Sequence, residues 1–367
     1  MTYSVFVAGT SFSGKTALCL GLYGKLQEMG LRVGYFKPVG QGLKMIEGKL
    51  RDPDAVLMKE VMGLHESIDD ISPIVLGKRY LDQFTDDVEK SADRINESFK
   101  RVSRDKDVVL MESAPLPEAL ICCGLDLPRF SREFNAGVVF SVKGDDDTVA
   151  ERAMLYKLFV EQRGGKMLGV VLNFVPIQQL ERMRGVVSNV LERCGLSVIG
   201  IVPDHKELTM PTVYEIVDAL DAEVLAGKDQ LDTPVDDYLI GAMTPESALS
   251  WLRRSVGRAF ITGGDRTDMI LTALETKPSA IILTGGIYPS AVALSNAKER
   301  SIPMLLVTGD TYTIVTKLEM LSGRIVPSPT STRKIQLARR IIGDYIDLKK
   351  ILDDYVSQKQ DRSKSRK

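Results

Sequence analysis

The sequence is poor in the residues that build metal centres and disulfide frameworks. Its 367 residues include two histidines, His65 and His205, and four cysteines, Cys19, Cys122, Cys123 and Cys194, none in C-x-x-C spacing. No tetrahedral zinc set can be assembled from neighbours, and the cysteine usage is that of a reducing cytoplasm, with neither disulfide nor structural metal expected. An excess of one charge is missing as well: 48 Lys and Arg against 49 Asp and Glu leave a net charge of −1. No overall field draws the chain onto nucleic acid or an anionic membrane, so neither is expected as a partner. Long hydrophobic runs are absent, and Met1-Thr2-Tyr3-Ser4-Val5 has no basic segment, which excludes a membrane span and a signal peptide by expectation. What is present is 44% hydrophobic and 26% charged residues, the balance of a globular chain that buries a core. At roughly 150 residues per domain this predicts two domains, three at most.

Short apolar runs rich in Val and Ile recur at residues 4–8, 33–36, 108–111, 138–142, 168–172 and 198–202. They are continuous rather than alternating, as in strands buried on both faces. Helical patterns lie between them. Val88, Ala92, Ile95, Phe99 and Val102 recur at intervals of four and three, and Asp52-Pro53 reads as an N-cap followed by proline at the first helical position. Strands alternating with helices predict an α/β fold with a mainly parallel sheet. A helix is expected over 212–225, then a polar linker, 227–237, with Gly227 and Pro234. A smaller α/β series follows, with strands at 259–262, 280–284 and 304–308, helices near 267–274, 290–298 and 313–320, and one long amphipathic helix at 331–356. The domains are thus expected at 1–226 and 238–345, with 346–367 forming the helix end and a basic, disordered tail.

Gly9-Thr10-Ser11-Phe12-Ser13-Gly14-Lys15-Thr16 fits G-x-x-x-x-G-K-[ST] at the junction of the first strand and first helix. Such a match arises by chance in roughly one chain in a hundred of this length. Its placement at a strand–helix turn makes chance rarer still. Glycines let the backbone wrap phosphates, loop N–H groups and the helix N-terminus face the anion, Lys15 supplies a charge, and the Thr16 hydroxyl can hold Mg²⁺. Lys37 ends the strand Gly34-Tyr35-Phe36 and projects from the carboxyl edge of the sheet, where open α/β folds bind ligands. Glu112 ends Val108–Met111, a position from which an acid reaches nucleotide-bound Mg²⁺. On residue physics alone, Asp54 only favours a helix N-terminus and Asn173 is a polar strand end.

The order of Gly9–Thr16, Gly34–Val39, Asp54, Glu112, Gly169–Asn173 and Gly200–Pro203 resembles dethiobiotin synthetase and its cobyrinate-amidating relatives. That resemblance implies a P-loop NTPase domain to about Ala226, with ATP and Mg²⁺ as cofactors. It further implies that Asp54 completes the Mg²⁺ shell of Thr16 and Glu112, that Lys37 lies between nucleotide and acceptor as a catalytic residue beside Lys15, and that Asn173 reads the adenine edge.

Pro211–Ile216, Gly264-Asp265-Arg266-Thr267-Asp268, Ile281–Gly286 and Asp310–Thr313 look like a DRTGG domain. The pair resembles the N-terminal region of long phosphotransacetylases, which implies ligand sensing and dimerisation. Asp268 replaces the glycine that names the motif. The Gly264-Asp265-Arg266 turn with Thr284-Gly285-Gly286 is a candidate site for a small-molecule effector, and an equal reading is a tight turn in which Asp265 and Arg266 pair. Adjacent Cys122 and Cys123 read as small apolar fillers.

After Glu112 the chain reads Ser113-Ala114-Pro115-Leu116-Pro117-Glu118, without the Gly-rich acceptor loop of dethiobiotin synthetase, and no acetyltransferase domain is expected after residue 345. The favoured expectation is therefore a MgATP-binding regulatory or accessory protein related to acetyl-phosphate metabolism, dimeric, with a phosphotransacetylase-type partner. The alternative is an ATP-dependent ligase that activates a carboxylate or carbamate beside Lys37.

Overall fold

The structure, a computed structural model, describes residues 2–42, 44–46, 48–84, 88–144, 146–254, 257–321, 332–353 and 355–356. The expected tail at 357–367 and the start of the last helix at Ser331 lie outside these residues. The chain divides into two compact units, Met1–His205 together with Pro327–Lys367, and Lys206–Val326.

The first unit is built on six parallel strands: β1 (Tyr3–Gly9), β2 (Val33–Phe36), β3 (Val108–Glu112), β4 (Ala136–Lys143), β5 (Lys166–Val175) and β6 (Val198–Pro203). Their order across the sheet is β6-β5-β4-β1-β3-β2. All five pairings are parallel. The continuous apolar runs are explained by burial on both faces: Val5, Phe6, Val7 and Ala8 in β1 and Val108–Met111 in β3 are all shielded from solvent. Helix α1 (Lys15–Glu28) follows β1 directly, and α2 (Pro53–Met62) begins at the Asp52 cap. Both start at the carboxyl edge of the sheet, so the ends of β1, β2 and β3 and two helix N-termini meet in one place.

The second unit holds β7 (Glu223–Ala226), β8 (Asp237–Ile240), β9 (Arg258–Gly263), β10 (Ala280–Thr284) and β11 (Met304–Leu306), ordered β7-β11-β10-β9-β8. Only β7 runs antiparallel to its neighbour. Ala259, Ile261, Ala280 and Ile282 face one core layer, while Phe260, Ile281 and Leu283 face the other. The α/β class with a mainly parallel sheet and a second, smaller α/β body is as the sequence indicated.

The division along the chain differs from the expected one. The helix expected over 212–225 stops at Leu220, because Asp221 takes a left-handed φ of 51°, and Glu223–Ala226 turns into the edge strand of the second sheet. A capping box between Thr212 and Glu215 starts that helix, whose Val213, Ile216 and Leu220 pack into the second core. Residues 206–226 therefore belong with the second unit, and the expected linker carries the first residue of β8. At the other end, the helix Thr332–Tyr345 packs on α1 inside the first unit. Gly21 and Gly24 make room for it: a Cβ on Gly21 would lie 1.9 Å from Ile342 Cγ1. The long helix expected over 331–356 is interrupted at Ile346, which bridges Gly200 in an antiparallel contact, while Asp347 N donates to the Ile199 carbonyl at 2.9 Å.

Candidate functional site

The loop Gly9–Thr16 is shaped by its glycines. Gly14 has φ 81°, a left-handed conformation that glycine adopts freely, and a Cβ there would sit 2.4 Å from Asn173 Nδ2. A Cβ on Gly9 would meet the Ser141 carbonyl at 2.2 Å. The loop is braced from behind: Ser141 Oγ donates to the Ser13 carbonyl at 2.6 Å and Asn173 Nδ2 donates to the same oxygen at 2.9 Å. Asn173 Oδ1 accepts from Phe174 N at 3.0 Å, so both ends of the amide are engaged beside the loop. Ser13 Oγ is buried and has no hydrogen-bond partner among the described residues. An orphaned hydroxyl in a glycine-shaped cradle fits a phosphate-bearing ligand.

Lys15 donates to the carbonyls of Gly9 at 3.1 Å, Thr10 at 2.9 Å and Pro115 at 3.4 Å. Burial lowers its pKa to about 8, although Glu112 opposes the shift. Next along α1, Thr16 Oγ1 donates to Glu112 Oε1 at 3.0 Å, and Tyr35 OH donates to the other carboxylate oxygen at 3.0 Å. The end of β3 thus presents its acid to the first turn of α1.

Lys37 is the centre of a buried ion cluster. Its ammonium lies 3.1 Å from Asp52, 2.5 Å from Asp54 and 3.3 Å from Glu112, and its side chain is 1% exposed. Burial alone would lower its pKa, but the three carboxylates outweigh it and hold it well above the ordinary lysine value. Glu112 and Asp52 are pushed up by burial, with Lys37 opposing. Asp52 is the residue that the sequence reading missed as a site group. It caps α2 as expected, accepting from Ala55 N at 3.0 Å, and it also accepts from Gln41 N at 2.7 Å and pairs with Lys37. Among the described residues no three His, Cys, Asp or Glu side chains form a ready metal cage; nucleotide-bound Mg²⁺ needs only one or two carboxylates beside the phosphates. Lys15, Thr16, Lys37, Asp54 and Glu112 are brought together at one edge, with Asn173 behind the loop.

In the second unit, Gly264 is enclosed: a Cβ would lie 1.7 Å from the Ile287 carbonyl. Arg266 pairs with Asp268, both contacts at 3.2 Å, rather than with Asp265. The residue that replaces the motif's glycine is therefore the arginine's partner. Thr284 Oγ1 meets Thr311 Oγ1 at 3.0 Å, and Gly285 and Gly286, both left-handed, donate their N–H groups to the Gly309 and Val307 carbonyls at 2.9 Å each. The cysteine reading is corrected for one of the two: Cys122 is exposed and fills no core, while Cys123 is half-buried and packs against the first core. Their turn, Ile121–Cys123, lies on the surface after a loop of two prolines, where the apolar character of cysteine gives no guide to burial.

The comparisons agree with these two bodies. A family model described as AAA domain matches residues 3–212, more than half of the chain, and one described as DRTGG domain matches residues 215–321. The phosphate acetyltransferase of Nitratidesulfovibrio vulgaris is 26% identical, over 99% of this chain and 53% of its own. That of Synechocystis sp. is 26% identical over 96% of this chain and 52% of its own. The chain spans about half the length of these curated relatives. Among solved structures, the MinD cell division protein of Aquifex aeolicus aligns at 17% identity over 56% of this chain and 84% of its own, with a TM-score of 0.36. The motif resemblance to the N-terminal region of long phosphotransacetylases is borne out, and no helix among the described residues is long and apolar enough to cross a membrane. The chain belongs to the P-loop AAA-domain family, carries a DRTGG domain after that module, and is related to phosphate acetyltransferases.

Proposed function

We propose that the first unit binds MgATP at Gly9–Thr16 and that the second unit senses a small-molecule effector, so that the chain regulates or assists a phosphotransacetylase-type enzyme. The observation that carries this reading is the convergence of Lys15, the Thr16–Glu112 pair and the orphaned Ser13 hydroxyl on one glycine-shaped cradle. Backbone N–H groups of Thr10, Ser11 and Gly14, with the α1 N-terminus, receive the phosphates, joined by the Ser13 N–H once it leaves the Thr10 carbonyl to which it donates at 3.2 Å. Lys15 turns its ammonium from the loop carbonyls to the phosphate oxygens. Thr16, Glu112 and Asp54 would hold Mg²⁺, which would screen charge on the phosphates. Asn173 keeps the Ser13 carbonyl in place; with its amide taken up by that carbonyl and by Phe174 N, it braces the loop instead of reading the adenine edge.

Lys37 supports binding over ligation. An acceptor-activating lysine must meet an incoming carboxylate or carbamate, whereas this ammonium is enclosed by three acids and is 1% exposed. Its role is to balance the acids that face the metal, and the expected turnover is slow. At Gly264, Asp265 and Arg266, near Thr284, Gly285 and Gly286, the effector is an anion that competes with Asp268 for Arg266.

Calorimetric titration tests the reading. MgATP is expected to bind wild type at one site per chain, to bind weakly when Mg²⁺ is chelated, and to show no heat with Lys15→Ala. Equal binding by wild type and Lys15→Ala would overturn it.

A further inference from the structure

We propose that Cys122 and Cys123 form a reversible dithiol–disulfide pair, a modification site for low-molecular-weight disulfides that stands apart from the nucleotide reading. Their Sγ atoms lie 3.7 Å apart, already in contact. Solvent reaches both, Cys122 exposed and Cys123 half-buried, whereas Cys19 is buried and Cys194 stands alone on the surface. The pair closes a short turn, Ile121–Cys123, held between Leu120 at φ 62° and Gly124 at φ 65°. A leucine in the left-handed region is strained, and Leu120 is kept there by its burial, 1% exposed. The backbone around the thiols is thus bent before any reaction.

The chemistry balances with one external disulfide. The Cys122 thiolate attacks one sulfur of a disulfide R–S–S–R, forming a mixed disulfide and expelling one thiolate. The Cys123 thiolate then attacks Cys122 Sγ, forming the Cys122–Cys123 bond and expelling the second thiolate. Two protein thiols lose two electrons and two protons, and the external disulfide is reduced to two thiols. Cys122 is the entry point because it is the more accessible; the Cys123 thiol is pushed up by burial and by its neighbour, so it is the poorer first nucleophile, and its Sγ 3.7 Å from Cys122 Sγ lets it attack second. Across a trans peptide neighbouring Cα atoms lie about 3.8 Å apart, below the roughly 4.4–6.8 Å of unstrained disulfides. The closed ring is strained and readily reduced, which makes the mark reversible.

The full chain carrying Cys194→Ser, which removes the competing surface thiol, is incubated with oxidised glutathione at about pH 8 and its intact mass measured. The expected product has lost two hydrogens and two titratable thiols, carries no glutathione, and returns to the starting mass with dithiothreitol. Cys123→Ser in the same background is expected to retain one glutathione on Cys122. A lasting glutathione adduct on the Cys194→Ser parent, or no loss of thiols, would overturn the proposal.

Discussion

Replacing Lys37 by methionine keeps the unbranched side chain up to its fourth atom and removes the cation from between Asp52, Asp54 and Glu112. Asp52 and Glu112 are each 1% exposed and Asp54 31% exposed, so two of the three acids have no solvent to replace the ammonium. Breaking a buried ion pair by deleting one partner costs about 3–5 kcal/mol. For a unit of this size a loss of 1 kcal/mol lowers Tm by roughly 2–4 °C, which gives a fall of roughly 6–20 °C at neutral pH. The loss has a pH signature. Glu112 and Asp52 already have pKa values raised by burial, and without Lys37 they rise further. A carboxyl group with a raised folded pKa binds a proton in the folded state that the unfolded chain has released, so stability of the variant falls as pH rises through that window and recovers as pH falls. Circular-dichroism melts from pH 5 to pH 8 read both effects. A variant that melts within about 1 °C of wild type at pH 8, or whose deficit does not shrink towards pH 5, would refute the cluster as the hub of this edge.

Further outcomes follow from individual contacts. Lys15, with a pKa of about 8, is mostly charged at pH 7 and mostly neutral at pH 9, so MgATP affinity by calorimetry should fall about tenfold between them. The sign for folding is opposite: between about 8 and 10.5 the unfolded chain holds the proton that folded Lys15 has lost, so stability of the free protein rises with pH there. Gly14→Ala places a Cβ 2.4 Å from Asn173 Nδ2 at a φ of 81°, and is expected to abolish nucleotide binding while Asn173→Ala only weakens it. Gly21→Leu collides with Ile342 and should release the helix Thr332–Tyr345, read as faster tryptic cleavage at Arg339 and Arg340. Arg266→Ala, at an exposed pair, should leave Tm unmoved and abolish any effector binding to the second unit.

The parts of the site that were legible are those whose chemistry is written in local pattern. The P-loop is a contiguous motif at a strand–helix turn, and Lys37 and Glu112 stand at the ends of apolar runs whose edge location is fixed by a parallel sheet. Asp52 was hidden by its own success as a cap: Asp-Pro before a helix accounts for it fully, and its second role arises only when β2 brings Lys37 alongside. The short edge strands Glu223–Ala226 and Asp237–Ile240 were missed because both carry an acidic residue and half-exposed positions, which a search for continuous apolar runs passes over. The return of the C-terminal helix to α1 is a long-range effect of two glycines, Gly21 and Gly24, that in sequence look like weak helix formers.

On the reading proposed above, Gly9–Thr16 holds a triphosphate whose metal sits against Thr16 and the acids at the end of β3 and the start of α2. A crystal structure of the full chain grown with Mg²⁺ and a non-hydrolysable ATP analogue tests it most directly. The expected result is phosphates wrapped by the loop, Lys15 on their oxygens and Mg²⁺ at Thr16 with Glu112 or Asp54 in its shell. A nucleotide bound elsewhere on the chain, or phosphates at the loop with Lys15 still on the Gly9 and Thr10 carbonyls, would contradict it.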